Sequence, residues 1–151
     1  MRKLLLAVSM VVSTLFLINM AKVEAEKQAV TEAVLDYVEG IYEVAPERIE
    51  RSVSPNLAKR GYYMRDGAYN ETPMTYEQLV KLAASWNKDG KRANDKSPKK
   101  IDIFEILDQT ATVKLTAEWG VDYMHLGKYD GKWKIVNVLW QSHPPAEKHD
   151  H

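Results

Sequence analysis

Residues 121–137 read VDYMHLGKYDGKWKIVN, and the architecture of the chain can be worked out from this stretch. Apolar and polar residues alternate through it, which is the period of a half-buried β-strand. Asp130-Gly131 interrupts the alternation with a dipeptide typical of a two-residue hairpin turn. We therefore predict two antiparallel strands, Asp122 to Tyr129 and Lys132 to Gln141.

The turn also predicts how the two strands pair, because pairing steps outward from Tyr129 opposite Lys132. Successive side chains point to opposite faces of a sheet. One face then carries Asp122, Met124, Leu126, Lys128, Trp133, Ile135, Asn137 and Leu139. The other face carries Tyr123, His125, Gly127, Tyr129, Lys132, Lys134, Val136, Val138 and Trp140. The first set is mainly apolar, so we expect the helices to cover it.

The sequence before the hairpin predicts further strands and, before them, helices. Ile101 to Leu107 and Ala111 to Glu118 alternate like the hairpin strands. Lys27 to Val44 instead has apolar residues at three- and four-residue spacing, which predicts an amphipathic helix. Thr75 and Gln78 form a capping-box pattern before another helix. Helices followed by a strand meander indicate an α+β domain with helices on one sheet face.

The segment between these helices is predicted to hold little regular structure. A proline at its start favours a short helix over residues 46–51. A Ser-Pro pair predicts a single helical turn over residues 54–60. Residues 61–65 are predicted to form a short strand, and residues 66–73 a loop.

The first 25 residues have the three parts of an export signal. A positive start precedes an apolar run, and Val23-Glu24-Ala25 puts small or modest residues where a signal peptidase reads. We expect cleavage after Ala25, a secreted or periplasmic domain over residues 26–141 and a flexible polar tail over 142–151. The apolar run is shorter than the ~20 residues of a membrane span, so we expect no membrane attachment after cleavage. An uncleaved anchor is the alternative.

Composition argues against several classes of function. The chain has 21 basic and 21 acidic residues, and loss of the first 25 residues leaves a net charge of −2. Nucleic-acid binding needs a clustered basic surface, so we expect none. The chain has no cysteine and no glycine-rich phosphate loop, and we expect no cofactor. His143, His149 and His151 lie in the polar tail at a spacing that matches no rigid metal site, so we expect no metal.

Three stretches together resemble a known superfamily. VDYMHL at 121–126, DGKWKIVN at 130–137 and LAKRG at 57–61 are similar to the nuclear transport factor 2-like proteins, and more narrowly to their "putative lumazine-binding" branch. The family often has His-Pro before the third stretch, where this chain has Ser54-Pro55. The resemblance covers residues 27–141.

This resemblance implies a cone-shaped α+β fold, in which a curved antiparallel sheet wraps the first helix and a pocket lies between them. It also implies dimerisation through the outer sheet face as a common arrangement. It implies no single activity, since the superfamily includes isomerases, dehydratases, cyclases, carriers and assembly domains.

Asp122 and Asn137 are the polar residues set among hydrophobes on the predicted inner face. A desolvated carboxylate has a raised pKa and can act as acid or base. Asn137 is a candidate to hold a polar ligand atom. Both have structural alternatives, as groups bonded to nearby backbone. His125 is three residues from Asp122, so the two side chains should point to opposite faces and form no catalytic pair.

We expect an exported domain that binds a small apolar or aromatic ligand between the first helix and the curved sheet. The expected ligand-binding residues are Tyr37, Trp86, Asp122, Met124 and Asn137. One alternative is an isomerase, dehydratase or hydrolase in which Asp122 is the acid or base. A second is a structural dimerisation or partner-binding domain. We expect a homodimer through the face that carries Tyr123, His125, Val136, Val138 and Trp140.

Overall fold

The computed structural model describes the backbone of residues 2–144 and the side chains of residues 17–144. Its elements are α1 (Arg2–Tyr42), α2 (Pro46–Ser52), β1 (Val53–Arg65), β2 (Ala68–Met74), α3 (Tyr76–Ala83), β3 (Lys100–Ile106), β4 (Thr110–Ala117), β5 (Gly120–Tyr129) and β6 (Lys132–Ser142). Most of the predicted tail, residues 145–151, lies outside the described residues. In the described part, no helix is long and apolar enough to cross a membrane.

The six strands form one curved, unclosed sheet in the order β2-β1-β6-β5-β4-β3. β1 is parallel to β6, and the other neighbours are antiparallel. The sheet is therefore mixed, where the resemblance implied an antiparallel one. The predicted α+β cone with helices on one sheet face is confirmed.

The helix α1 packs its apolar stripe against the sheet, on the face that we call the inner face. The stripe residues Val30, Val34, Tyr37, Val38 and Ile41 are at most 2% exposed. Each large apolar side chain buried in this way stabilises the fold by about 1.5–3 kcal/mol. The charged side of α1 holds α2, because Arg48 forms ion pairs with Asp36, Glu39 and Glu43. These contacts make α1 the support of the inner face.

Glu26 of α1 contacts the hairpin. The side chains of residues 17–25 are all exposed. The Glu26 carboxylate accepts a hydrogen bond of 2.9 Å from Trp133 Nε1 and pairs with Lys128 Nζ. These contacts lie one residue after the predicted cleavage position.

The strand meander and the capping box are confirmed. The four predicted strands match β3 to β6 to within two residues at each end. Asp130 and Gly131 have φ angles of 48° and 76°, the left-handed pair that a tight hairpin turn requires. Thr75 and Gln78 bond reciprocally at the start of α3, with distances of 2.8 and 3.2 Å.

The predictions for residues 54–60 and 66–73 are wrong, whereas the predicted strand at 61–65 lies within β1. The expected helical turn at 54–60 and the expected loop at 66–73 belong to the strands β1 and β2. β1 lies between β2 and β6, so its backbone groups pair on both sides and override the local Ser-Pro signal. Pro73 is compatible with β2 because an edge strand leaves one side of its backbone unpaired.

The predicted hairpin register is correct only near the turn. Tyr129 pairs with Lys132 and Leu126 with Ile135, but His125 then pairs with Asn137. One residue of β6, Val136, is therefore extra, which is the definition of a β-bulge. Each slip of one residue exchanges the two faces.

Because of the bulge, every later residue of β6 lies on the face of the sheet opposite to the predicted one. Val138, which is fully buried, and Trp140, which is half-buried, belong to the inner face. Asn137 and Leu139 belong to the outer face, and Leu139 is 45% exposed.

Candidate functional site

Four side chains of the inner face form a buried polar network, which we define as Tyr37, Lys59, Trp119 and Asp122. They come from α1, β1, the turn between β4 and β5, and β5. Tyr37 and Asp122 have no exposed surface, and Lys59 is 7% exposed.

Asp122 accepts hydrogen bonds from the indole of Trp119. Trp119 Nε1 lies 3.2 Å from each carboxylate oxygen. The tight turn at Gly120 places the indole of Trp119 next to the carboxylate of Asp122, three residues later in the chain. Gly120 has a φ of 147°, and a Cβ there would lie 2.0 Å from the carbonyl oxygen of Gln141. Glycine is therefore required at this turn.

Tyr37 and Lys59 complete the network from the helix and the neighbouring strand. Lys59 Nζ donates a hydrogen bond of 2.8 Å to the Tyr37 hydroxyl oxygen. The same ammonium lies 5.5 Å from the ring centroids of Tyr37 and Trp140. Cation–π attraction of this kind is stronger away from water and helps hold a buried ammonium.

The three titratable groups of the network shift one another's pKa. Burial raises the pKa of Asp122, while Lys59, Trp119 and Tyr37 act against that rise. Burial lowers the pKa of Lys59, and Asp122 opposes the change. Burial and the neighbouring carboxylate together raise the pKa of Tyr37 well above its ordinary value. The network thus titrates as a coupled unit.

An aromatic cluster adjoins the network through Trp119. Tyr42 stacks on Trp86 with centroids 6.0 Å apart, and each packs edge-on against Trp119 at 5.6 Å. The Tyr42 hydroxyl donates to the Pro98 carbonyl at 2.8 Å and accepts from the Glu118 amide at 2.7 Å. Burial raises the pKa of Tyr42 to about 12, so its hydroxyl stays protonated at neutral pH.

Asn87 holds the loop that follows α3 against this cluster. Its amide nitrogen donates to the carbonyls of Tyr42 and Ala93 at 2.7 and 3.0 Å. Its amide oxygen accepts from the backbone of Arg92 and Ala93 at 2.9 and 3.1 Å. One buried side chain thus makes four hydrogen bonds that fix the loop.

A cleft of about 580 Å³ reaches the network from the surface. It lies between β1 and the start of α3, and its lining includes Leu57, Lys59, Met74 and Tyr76. Lys59 therefore belongs both to the cleft and to the buried network. The described residues contain no group of three or more acidic or histidine side chains placed to hold a metal ion.

The predicted site residues are only partly brought together. Tyr37 and Asp122 belong to the network, and Trp86 contacts it through Trp119. Met124 is fully buried in the core on the same face. The predicted position of Asn137 is wrong because of the bulge.

On the outer face, the Asn137 amide donates to the Ala58 carbonyl at 3.2 Å, and its oxygen lies 3.3 Å from His125 Nδ1. His125 lies on this outer face, opposite Asp122, as predicted.

Lys59, Trp119 and Trp140 are not among the predicted site residues. Lys59 lies within the LAKRG stretch, where an inward-facing lysine becomes recognisable only once residues 54–60 are known to form a strand. The predicted face of Trp140 is wrong because of the bulge. Its indole Nε1 is buried and has no hydrogen-bond partner among the described residues.

Comparisons with known proteins agree with this architecture. The chain matches, over residues 25–141, the model of a family described as "putative lumazine-binding". No curated protein matches the chain.

Solved structures share the fold at low sequence identity. A nuclear transport factor 2-like protein of unknown function from Silicibacter pomeroyi is 13% identical with a TM-score of 0.58, over 80% of this chain and 98% of that one. A protein of the same description from Shewanella baltica is 20% identical with a TM-score of 0.59, over 80% and 95%. A structure named putative scytalone dehydratase, from Novosphingobium aromaticivorans, is 12% identical with a TM-score of 0.55, over 83% and 89%.

Proposed function

The chain belongs to the family described as putative lumazine-binding, and from this premise we propose that it is an exported domain that binds a small molecule. The observation that carries the proposal is the polar network of Tyr37, Lys59, Trp119 and Asp122, whose lysine lines an open cleft. Burying charged groups costs several kcal/mol in stability unless they are paired and hydrogen-bonded. Such buried polar groups are useful in a binding site, because they recognise a ligand.

The proposed ligand enters through the cleft between β1 and α3. Lys59 is part of the cleft's lining, together with the apolar residues Leu57, Met74 and Tyr76. Polar residues, among them Thr75 and Gln78, make up the rest of the lining. Ligand sites likewise combine apolar surface with placed polar groups. The aromatic rings beside Lys59 favour a flat ligand.

Geometry gives little support to an enzyme that uses Asp122. The side chain of Asp122 has no exposed surface, and its carboxylate already accepts from Trp119 and Tyr37. An acid or base needs to come within hydrogen-bond distance of the reacting proton. We therefore assign Asp122 the role of balancing Lys59 across Tyr37 rather than that of a reacting group.

Export and dimerisation are parts of the same proposal. The exposed side chains of residues 17–25 support export, because a segment that is removed by cleavage is not needed in the core. The outer sheet face supports a homodimer, because Tyr62, Tyr123 and Leu139 are each more than 40% exposed there. Large apolar areas of this kind usually mark an interface.

The test of the proposed function is native mass spectrometry of the protein purified from its own host. We expect an added mass that disappears on denaturation and can be recovered as a small molecule. Lys59→Met should lose this mass, while Lys114→Met, which removes a lysine from the outer face, should retain it. A parent protein that never carries or binds a small molecule would leave the structural dimerisation domain as the better account.

A further inference from the structure

We propose that the ligand carries a carboxylate, and that this group binds between Lys59 and the indole N–H of Trp140. The inference rests on the proposed function and adds to it the chemical class of the ligand. Three observations carry it: an unpartnered buried indole N–H, a buried ammonium without a direct ion pair, and a rigidly placed indole.

Some hydrogen-bond donors beside the network lack a partner. The Asp122 carboxylate accepts from Trp119 and from Tyr37, and the Tyr37 oxygen accepts from Lys59. An ammonium has three N–H groups, so two on Lys59 are left, together with the unpartnered N–H of Trp140. Buried donors of this kind call for acceptor atoms, which the proposed ligand supplies.

The charge of Lys59 indicates that the acceptor is an anion. None of the ion pairs of the described residues includes Lys59, so no carboxylate oxygen of that part of the chain lies within 4.0 Å of it. Its hydrogen-bond partner is the uncharged hydroxyl of Tyr37. A charge-assisted bond to a ligand carboxylate would be about twice as strong as a neutral one.

Gly61 fixes the position of the Trp140 indole. These residues pair across β1 and β6, and a Cβ on Gly61 would lie 2.2–2.3 Å from atoms of the indole ring, Nε1 included. The ring therefore packs directly on the glycine backbone, with Lys59 Nζ 5.5 Å from its centroid. A carboxylate has two oxygens and can accept from both donors at once.

Benzoate and benzamide form a matched pair of probes, since both are flat and only benzoate is charged. In titrations of the full mature protein we expect benzoate to bind about tenfold or more tightly than benzamide. The indole N–H signals of ¹⁵N-labelled protein give a direct readout. Trp140 should move downfield with benzoate, whereas Trp119 and Trp133, already bonded to carboxylates, should move little.

Variants separate the two proposed contacts. Lys59→Met should weaken benzoate binding about tenfold or more, and Trp140→Phe by about three- to tenfold. The indole signal that is lost in Trp140→Phe is assigned to Trp140. This variant keeps an aromatic ring against Gly61, so it tests the proposal if Lys59→Met fails to fold. Lys114→Met is the matched control and should bind benzoate like the parent.

Three results would overturn the carboxylate proposal: equal binding of benzamide, benzoate binding that survives both variants, or a Trp140 signal that benzoate does not move. Absence of binding by either probe at millimolar concentration would overturn it as well. In each case a ligand found by native mass spectrometry would leave the proposed function intact, so the two proposals fail separately.

Discussion

At the scale of single residues, the main feature is that the titratable side chains of the network are buried in the interior. Asp122 and Lys59 lie on different strands, and the Tyr37 hydroxyl stands between them. Removing one member of such a set leaves another without its partner, which usually costs more than the interaction itself contributes. The residue-scale predictions follow from this asymmetry.

The raised pKa of Asp122 predicts how its replacement depends on pH. A carboxyl group whose pKa is raised in the folded state adds to the free energy of unfolding while it is protonated. That contribution is complete below the ordinary pKa of 3.8. That contribution is lost as pH rises through the folded pKa. Asparagine does not titrate at this position. The loss in free energy of unfolding caused by Asp122→Asn should therefore shrink between pH 4 and pH 7.

Urea unfolding across that range measures the effect. Asp108→Asn, at an exposed position between β3 and β4, is the control and should show no comparable trend. A penalty for Asp122→Asn that grows with pH would contradict the assigned direction of the shift.

Tyr37→Phe tests the hydroxyl that joins the network. The change leaves the ring in the core but removes the acceptor of Lys59, so we expect a loss of about 1–3 kcal/mol in the free energy of unfolding. Tyr123→Phe, which removes an exposed hydroxyl, should stay within about 0.5 kcal/mol of the parent. In a Lys59→Met background the cost of Tyr37→Phe should shrink. Equal costs in both backgrounds would show that the hydroxyl acts independently of Lys59.

At the scale of elements, the bulge in β6 determines which residues face inward. Alternation and the Asp-Gly turn predicted all four meander strands and the pairing next to the turn. No residue of Ile135-Val136-Asn137 marks an extra position, since a β-bulge does not require a glycine. Long-range pairing explains why local sequence does not predict the full extent of β1 and β2. Local sequence therefore predicted Tyr37 and Asp122 as site residues, but not Lys59 or Trp140.

Two neighbouring residues of β6 give a direct test of the corrected register. Val138→Glu should place a charge in the core and unfold the domain or cost several kcal/mol. Leu139→Glu, at a position 45% exposed, should change the melting temperature little. Thermal melts of both variants under dilute conditions distinguish the register with the bulge from the register without it. The opposite order would restore the register without a bulge.

At the scale of the whole molecule, the sheet presents apolar side chains on both faces, and the helices cover one. If the outer face forms a homodimer, Tyr123→Glu and Leu139→Glu should sediment as folded monomers at micromolar concentration, where the parent sediments as a dimer. Burying a single charge at each copy of an interface costs several kcal/mol, which is enough to dissociate a micromolar dimer. Lys88→Glu, at an exposed position in the loop after α3, is the control and should remain as dimeric as the parent. Variants as dimeric as the parent would place the interface elsewhere.

Processing should leave Glu26 as the first residue of the mature protein. Glu26 bonds to Trp133 and Lys128 of the hairpin and so is part of the folded domain. Intact mass and N-terminal sequencing of exported material measure the start directly. Recovery of a stable product that still begins at Met1 would contradict cleavage.

The four hydrogen bonds of Asn87 predict one shared opening of the segment that they anchor. Its amide contacts join Tyr42, Arg92 and Ala93, so these bonds are lost together when the Asn87 side chain leaves its position. Segments held in this way open together, at a free energy below that of global unfolding. The amide protons of Arg92 and Ala93 should therefore exchange with solvent through one shared opening event, which also uncovers Trp86 and Trp119. Fluctuation of this loop then sets how often solvent reaches the aromatic side of the Asp122 network.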